Sequence, residues 1–245
     1  MPTLESEAII LKTFPLGEAD RLVSFLSRGQ GRLRGVAAGA RRLKNRFGSA
    51  LEVLAYVRVE FFEKETRDLV RIRECELLES FHKAQSDYAL ATGLAVISEI
   101  AETVLPEREP AEAMFRLVLL SAREIQRRGS WEVPLGYFAL WSLKLGGWLP
   151  PLEECGRCGA GLAGKPAYIS STSPLLLCEK CRSGKRTLSA QARDLGASYL
   201  AERLDRIEAG ADAGGAAKEL REAALDWVEL QSERKLQTRE LLETI

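Results

Sequence analysis

Leu51-Glu52-Val53-Leu54-Ala55-Tyr56-Val57-Arg58-Val59-Glu60-Phe61-Phe62 sets Val57, Val59 and Phe61 on one side of an extended chain and Arg58 and Glu60 on the other. Successive side chains of a strand point to opposite faces, so this alternation marks a strand with one face buried. The same period runs through Val70-Arg71-Ile72-Arg73, at the head of a run from Leu69 to Leu77. Upstream lie Glu7-Ala8-Ile9-Ile10-Leu11, a turn at Pro15-Leu16-Gly17, Arg21-Leu22-Val23-Ser24-Phe25-Leu26, a turn at Gly29-Gln30-Gly31, and Arg32-Leu33-Arg34-Gly35-Val36-Ala37. Leu22, Phe25 and Leu26 also fit a helical period, but the run is read as a strand. Five short strands with glycines at turns and bends predict a small closed barrel over residues 1–80.

From Phe81 the period changes. Tyr88, Ala91, Leu94, Ala95, Ile97 and Ala101 recur every three or four residues, the face of a helix that stops at Leu105-Pro106. Ala111 to Arg128 reads as a second helix ended by Gly129, and Pro134 to Leu145 as an aromatic-rich third ended by Gly146-Gly147. A fourth begins at Ser189 and runs through Leu195, Tyr199, Leu200, Leu204 and Ile207. A Gly210 to Gly215 loop leads to a last helix with Leu220, Ala223, Ala224, Trp227 and Leu230 inside. The expected architecture is α+β: a barrel over 1–80, a helical domain over 81–149 and 188–245, and an insertion over 150–187. No internal repeat is evident.

Thirty-five basic and 35 acidic residues cancel in a 245-residue chain, so net charge points to no partner. Apolar stretches fall short of the roughly 18 residues of a membrane span. The opening Met1-Pro2-Thr3-Leu4-Glu5-Ser6-Glu7 lacks the basic and apolar regions of a signal peptide, so a reducing, cytoplasmic location is expected. One histidine, His82, leaves little room for His-based catalysis. Its place before the first helix reads as surface or capping. Glu18 and Asp20 flank a turn and read as turn formers. No Walker-type phosphate loop is present.

The insertion carries Cys155-Gly156-Arg157-Cys158 and Cys178-Glu179-Lys180-Cys181, with 19 residues between the pairs. Two C-x-x-C knuckles at this separation are a zinc-ribbon pattern, because each tight turn aims two thiolates at one tetrahedral ion. Tyr168-Ile169-Ser170 and Leu175-Leu176-Leu177 between them suit a short hairpin. The stretch is too small for a core of its own, so metal is expected to supply most of its folding energy. Four thiolates leave no open position, which favours one structural zinc per chain over a catalytic one. A redox dithiol lacks its βαβ setting, and an iron–sulfur cluster usually spaces its cysteines differently. Cys75 stands alone and reads as a small buried apolar residue.

The charge is uneven. Arg21 to Leu51 holds eight basic residues and no acidic one. Six of them, Arg32, Arg34, Arg41, Arg42, Lys44 and Arg46, fall within 15 residues, interleaved with Gly31, Gly35, Gly39 and Gly48. Arginine forks suit phosphates, and small barrels are common single-strand platforms. These six are the candidate nucleic-acid contacts, with a solvated strand edge as the alternative. A second candidate patch is Lys180, Arg182, Lys185, Arg186 and Arg193. Phe47 is a candidate for stacking, or for the core.

Glu7-Ala8-Ile9-Ile10-Leu11-Lys12-Thr13 with Gly17-Glu18-Ala19-Asp20-Arg21-Leu22-Val23 resembles the opening of the bacterial recombination mediator RecO family. Gly39-Ala40-Arg41-Arg42 with Arg46-Phe47-Gly48 and Ala50-Leu51-Glu52 resembles its next signature, and Glu76-Leu77-Leu78-Glu79-Ser80-Phe81 the end of its barrel. The cysteine segment and Arg234-Lys235-Leu236-Gln237-Thr238-Arg239 are similar to its later parts. The resemblance implies an N-terminal OB-fold, a helical domain, a zinc module and a non-enzymatic role in DNA repair. That role would be to bind and anneal single- and double-stranded DNA, pair with RecR, and help RecA onto strands covered by single-stranded DNA-binding protein. It also implies a bacterial cytoplasmic protein that associates with the nucleoid during repair. Ala38 stands where the family pattern places a Lys before Gly39, so one cation of the patch is missing.

An RNA-binding or ribosome-associated zinc-ribbon protein fits the barrel, ribbon and arginines equally well, and competition between DNA and RNA would separate the two. A protein adaptor built on the helical domain is a third reading. In the helical domain, Arg123, Arg127 and Arg128 at the end of an amphipathic helix read either as simple C-terminal capping, where cations suit the helix dipole, or as a site for an acidic, apolar-ended protein tail.

Overall fold

The alternating residues line the inside of a barrel. The computed structural model describes residues 3–63, 68–207 and 215–245. Its first part is β1 (Thr3–Leu16), β2 (Asp20–Ser27), β3 (Gly31–Ala37), β4 (Tyr56–Phe62) and β5 (Val70–Glu79). These close in the order β1-β2-β3-β5-β4. Neighbours are antiparallel except β3 and β5, which run parallel from Gly35↔Val70 to Ala37↔Ile72. Val57, Val59 and Phe61 pack inside against Ala8, Ile10, Val23, Phe25, Leu33 and Ile72, with Phe25 and Phe61 edge to face at 5.9 Å. This is an N-terminal OB-fold.

The run from Leu51 is not one strand. Asn45 Oδ1 accepts the backbone N–H groups of Phe47 and Gly48 and starts a 3₁₀ turn, Gly48–Leu51, whose Ala50 and Leu51 are buried. Leu54 then adopts a left-handed φ of 60°, and its N–H reaches Ile10 O at 2.6 Å. Regular pairing begins only at Tyr56. Phe47 is buried, so it belongs to the barrel core rather than to a stacking surface. Cys75 is buried too, and burial pushes its thiol up to about 12. Asp20 accepts the Gly39 N–H at 2.8 Å, a turn role, and His82 is exposed on α1 (His82–Gln85).

In β1 a bulge between Ile10 and Lys12 breaks the alternation. Ile10 points into the barrel, whereas Leu11, like Ile9 and Leu26, joins the core of the helices. That core comes from α2 (Tyr88–Val104), α3 (Glu112–Arg128), α4 (Glu132–Leu145), α5 (Ala190–Ala201) and α6 (Ala216–Ser232). Asp87 and Ser189 cap α2 and α5 through their side chains. α4 is buried on nearly every side from Val133 to Leu140, the mark of a central helix. Leu204 and Ile207 lie past the end of α5, because the chain extends at Glu202 and makes a 3₁₀ turn, Leu204–Arg206. The guanidinium of Arg128 holds both carbonyls, Leu204 O at 2.6 Å and Ile207 O at 2.8 Å. Of the expected Gly210 to Gly215 loop, only Gly215 lies among the described residues.

The cysteine segment forms the expected hairpin, β6 (Ala167–Ile169) with β7 (Leu176–Leu177), and adds β8 (Thr187–Leu188) in the order β7-β6-β8. It does share a core: Leu152, Leu162, Ile169, Leu176 and Leu188 belong to the same apolar cluster as the helices.

Candidate nucleic-acid interface and metal centre

The four expected cysteine ligands converge. Their sulfurs all lie within 4.8 Å of one another, and Cys158 Sγ is 3.8 Å from Cys178 Sγ. A tetrahedron with metal–sulfur bonds near 2.3 Å has edges of about 3.8 Å, so the set fits one ion. Both knuckles contribute to a single centre, which two separate redox dithiols would not require. In the first knuckle Gly159 takes φ +69°, a left-handed conformation that favours glycine, and a Cβ on Gly156 would press on the Leu175 side chain at 2.7 Å. Burial pushes the Cys155 thiol up, yet the backbone N–H groups of Cys178, Arg157 and Cys158 draw it down to about 6. Hydrogen bonding with the Cys158 thiol foremost, then burial, pushes Cys181 up to about 12. Four sulfurs this close cannot all ionise without a cation between them.

The loop between β3 and the 3₁₀ turn presents the basic residues. It is laced to the β1–β2 turn by Gly39 N to Asp20, Arg41 N to Ala19 O at 2.9 Å and Arg41 Nη1 to Gly17 O at 2.6 Å. Asn45 Nδ2 to Arg42 O at 3.1 Å closes the far side, and the Arg46 guanidinium lies 4.9 Å from the Phe47 ring centre. Arg41, Arg42, Lys44 and Arg46 are all exposed around a fully exposed Leu43. Among the described residues, none of the four has a carboxylate within ion-pair distance. The braced loop thus concentrates four exposed cations at one end of the barrel.

Arg32 and Arg34 do something else. Arg32 is 14% exposed and turns to the helices, bonding Glu102 at 3.0 Å and Glu107 at 3.4 Å. Its Nε donates to Leu105 O at 2.9 Å. Arg34 pairs with Glu107 at 2.8 Å. The segment around Glu107 lies along β3, with Arg108 N donating to Arg32 O. A Cβ on Gly31 would collide with Glu109 O at 1.9 Å, so that approach depends on a glycine with φ +73°.

Comparison with known proteins now bears on the whole chain. The family model for the recombination protein O N terminal matches residues 1–81, and that for its C terminal matches residues 85–240. A protein named DNA repair protein RecO from Koribacter versatilis is 33% identical over 241 residues, covering 98% of each chain. One of the same name from Syntrophobacter fumaroxidans is 34% identical over 249 residues, covering 99% of this chain and 98% of its own. One from Cutibacterium acnes is 38% identical over 192 residues, covering 74% and 75%. The chain belongs to the RecO family. Its role is therefore in DNA repair and recombination. No helix among the described residues is long and apolar enough to cross a membrane.

Within this RecO-family chain the remaining cations divide by burial. Arg193, counted with the second patch, is only 4% exposed. It donates to Leu152 O at 2.8 Å, to Leu162 O at 2.5 Å and to Lys165 O, fastening the cysteine segment to α5. Arg186 pairs with Asp226, and Arg182 lies over the Tyr168 ring. Lys180 and Lys185 stay exposed. Arg128, expected at a tail site, is buried against Glu124, and Arg127 is also held by Glu124. Arg123 pairs with Glu79 and borders a groove of about 450 Å³ with Arg116, Leu117, Leu120, Trp141 and Arg203. The residues resembling the family's later signature lock the chain end: Lys235 and Arg239 pair with Glu229 of α6. Arg116 and Arg203, which sequence reasoning did not single out, border the same groove, and each has a carboxylate partner, Glu112 at 3.6 Å and Asp205 at 3.1 Å.

Proposed function

We propose that this chain is a non-enzymatic mediator of recombinational repair that binds and anneals single- and double-stranded DNA through the loop carrying Arg41, Arg42, Lys44 and Arg46. The observation that carries the reading is that loop's pre-set backbone and its four exposed cations, none of which has a carboxylate partner among the described residues. Arg32 and Arg34 contribute by holding the barrel against the helices rather than by gripping phosphate. Cys155, Cys158, Cys178 and Cys181 hold one structural zinc, which ties the two knuckles together beside α5. The working units are the barrel over 1–80, the helical domain over 81–149 and 188–245, and the insertion over 150–187.

We further infer, from the likeness to the RecO family, pairing with RecR, indirect action on RecA, and a bacterial cytoplasmic setting at the nucleoid. The acidic, apolar-ended tail of single-stranded DNA-binding protein suits the groove with Arg116, Arg123 and Arg203 on its rim and Leu117, Leu120 and Trp141 on its floor. The test is ATP-independent annealing of complementary strands covered by single-stranded DNA-binding protein. Wild type accelerates it, and replacing Arg41 and Arg42 together by Ala returns it to near the spontaneous rate. Equal acceleration by both proteins contradicts the assignment, and a preference for RNA over DNA of equal length favours the RNA-binding alternative.

A further inference from the structure

The outer face of the barrel is half covered. α2 lies against its β1–β2 part, where the Ser98 hydroxyl donates to Leu11 O at 2.5 Å and the Ser24 hydroxyl to Glu102 at 2.5 Å. Beyond that cover, Phe14 and Leu16 on the outer face are exposed among the described residues. Register places Phe14 opposite Leu22, Leu22 opposite Val36, and Val36 beside Arg71, one row across β1, β2, β3 and β5. Thr13 pairs with Val23, which points into the barrel, so Phe14 and Leu22 must point out. Phe14 is 43% exposed and Leu16, two residues on, is 38% exposed. Leu22 and Val36 are half-buried.

The β1 bulge makes this row possible, because it sends both Leu11 and Lys12 outward before alternation resumes. Leu11 goes under the helices and Lys12 stays exposed, its ammonium 5.2 Å from the Phe14 ring centre. The ring is thus held beside one cation, with Arg71 exposed at the far end of the row. The turn that follows Leu16 is the one to which the basic loop is laced through Gly17, Ala19 and Asp20. Apolar strip and cationic loop therefore adjoin. Nearby carboxylates are Asp20, engaged by the Gly39 N–H, Glu18 in the turn, and Asp68 in the hollow beyond Val36.

We propose that this strip, led by Phe14, is a base-stacking platform for single-stranded DNA. The inference rests on the DNA-binding reading above and deepens it: the loop cations follow the phosphates while the exposed ring takes a base. Every base has a π-face, so the platform adds affinity without sequence preference. An apolar row with Lys12 beside Phe14, Arg71 at its far end and the basic loop adjoining fits a chain whose bases are apolar and whose backbone is anionic. Covering it with a second apolar sheet or with lipid tails would leave Lys12 and Arg71 without partners.

The test compares wild type, Phe14→Ala and Phe14→Trp on an oligothymidylate and on a base-free deoxyribose-phosphate chain of equal length. Phe14→Ala is expected to bind the oligothymidylate about 5- to 100-fold more weakly, with an unchanged salt slope. It should bind the base-free chain as wild type does. Phe14→Trp should restore tight binding. Unfolding temperatures within about 2 °C of wild type show that the folded barrel is being compared. Wild type that binds with the expected salt slope, beside a Phe14→Ala that binds equally tightly, overturns the platform and leaves the loop reading standing. Wild type that binds neither chain removes both.

Discussion

Replacing Arg32 by Ala separates the two jobs that neighbouring arginines do on one strand. Arg32 lies 14% exposed between Glu102 and Glu107 and also caps Leu105 O. Its removal leaves Glu102, 21% exposed, with only the Ser24 hydroxyl, and leaves Glu107, 34% exposed, to Arg34 alone. Breaking a fully buried pair this way costs roughly 3–5 kcal/mol. Because water still reaches both carboxylates and Arg34 stays on Glu107, about 2–3 kcal/mol is expected here. For a chain of this size each kcal/mol shifts the midpoint by about 2–4 °C, so thermal unfolding should fall by roughly 5–10 °C. DNA affinity at temperatures well below the transition, and its dependence on salt, should stay as in wild type. An unchanged unfolding temperature together with a flattened salt slope would refute the reasoning and return Arg32 to the phosphate contacts.

Arg193→Ala should loosen the cysteine segment, because Leu152 O, Leu162 O and Lys165 O lose a buried donor; faster amide exchange across 152–165 is the readout, and unchanged protection contradicts the clamp. Metal analysis should find about one Zn²⁺ per chain. Cys155→Ser should lose that zinc and destabilise the adjacent helices while sparing the barrel's DNA binding, and a metal-free but fully folded wild type would end the zinc assignment. Acid should weaken the helical core. The Arg127 guanidinium holds Glu124 below the usual carboxylate range. At Glu229, burial is outweighed by Lys235, the Leu236 N–H and Arg239. A carboxylate depressed in the folded state stabilises above its unfolded value of about 4.3, and that contribution is lost as pH falls through the folded value. Glu124→Gln should therefore be the less stable protein at pH 7 and converge on wild type towards pH 3; a constant gap would exclude the linkage.

The barrel was legible because strand alternation is a local property: Val57, Val59 and Phe61 show their buried face without reference to anything else. The start of that strand was not, because Leu51 is held by a 3₁₀ turn that Asn45 initiates and Leu54 by a bond to Ile10 across the sheet. The cysteine pairs could be read from spacing alone, while the two residues of β8 are too few to carry a period. Arg32 and Arg41 illustrate the limit at the site. They share a residue type and an acid-free neighbourhood in sequence. What distinguishes them is Glu102 and Glu107, about 70 residues away, brought to β3 by helix packing that no local pattern encodes. Arg128 and Arg193 were misjudged for the same reason, since their carbonyl partners come from distant segments. Phe14 was overlooked because its significance depends on which part of the barrel α2 leaves uncovered.

The most direct test of the central claim is the affinity for single-stranded DNA across a salt series, for wild type and for the variant lacking both Arg41 and Arg42. With four loop cations on phosphates at about −0.7 each, log affinity should fall with log salt at a slope near −3. Removing two should flatten the slope by about 1.4 and weaken all sequences alike. Exposed cations that repel one another add little stability, so the unfolding temperature should barely move. A slope unchanged in that variant, but reduced after neutralising Lys180 and Lys185, would contradict the account and place the DNA beside the cysteine centre.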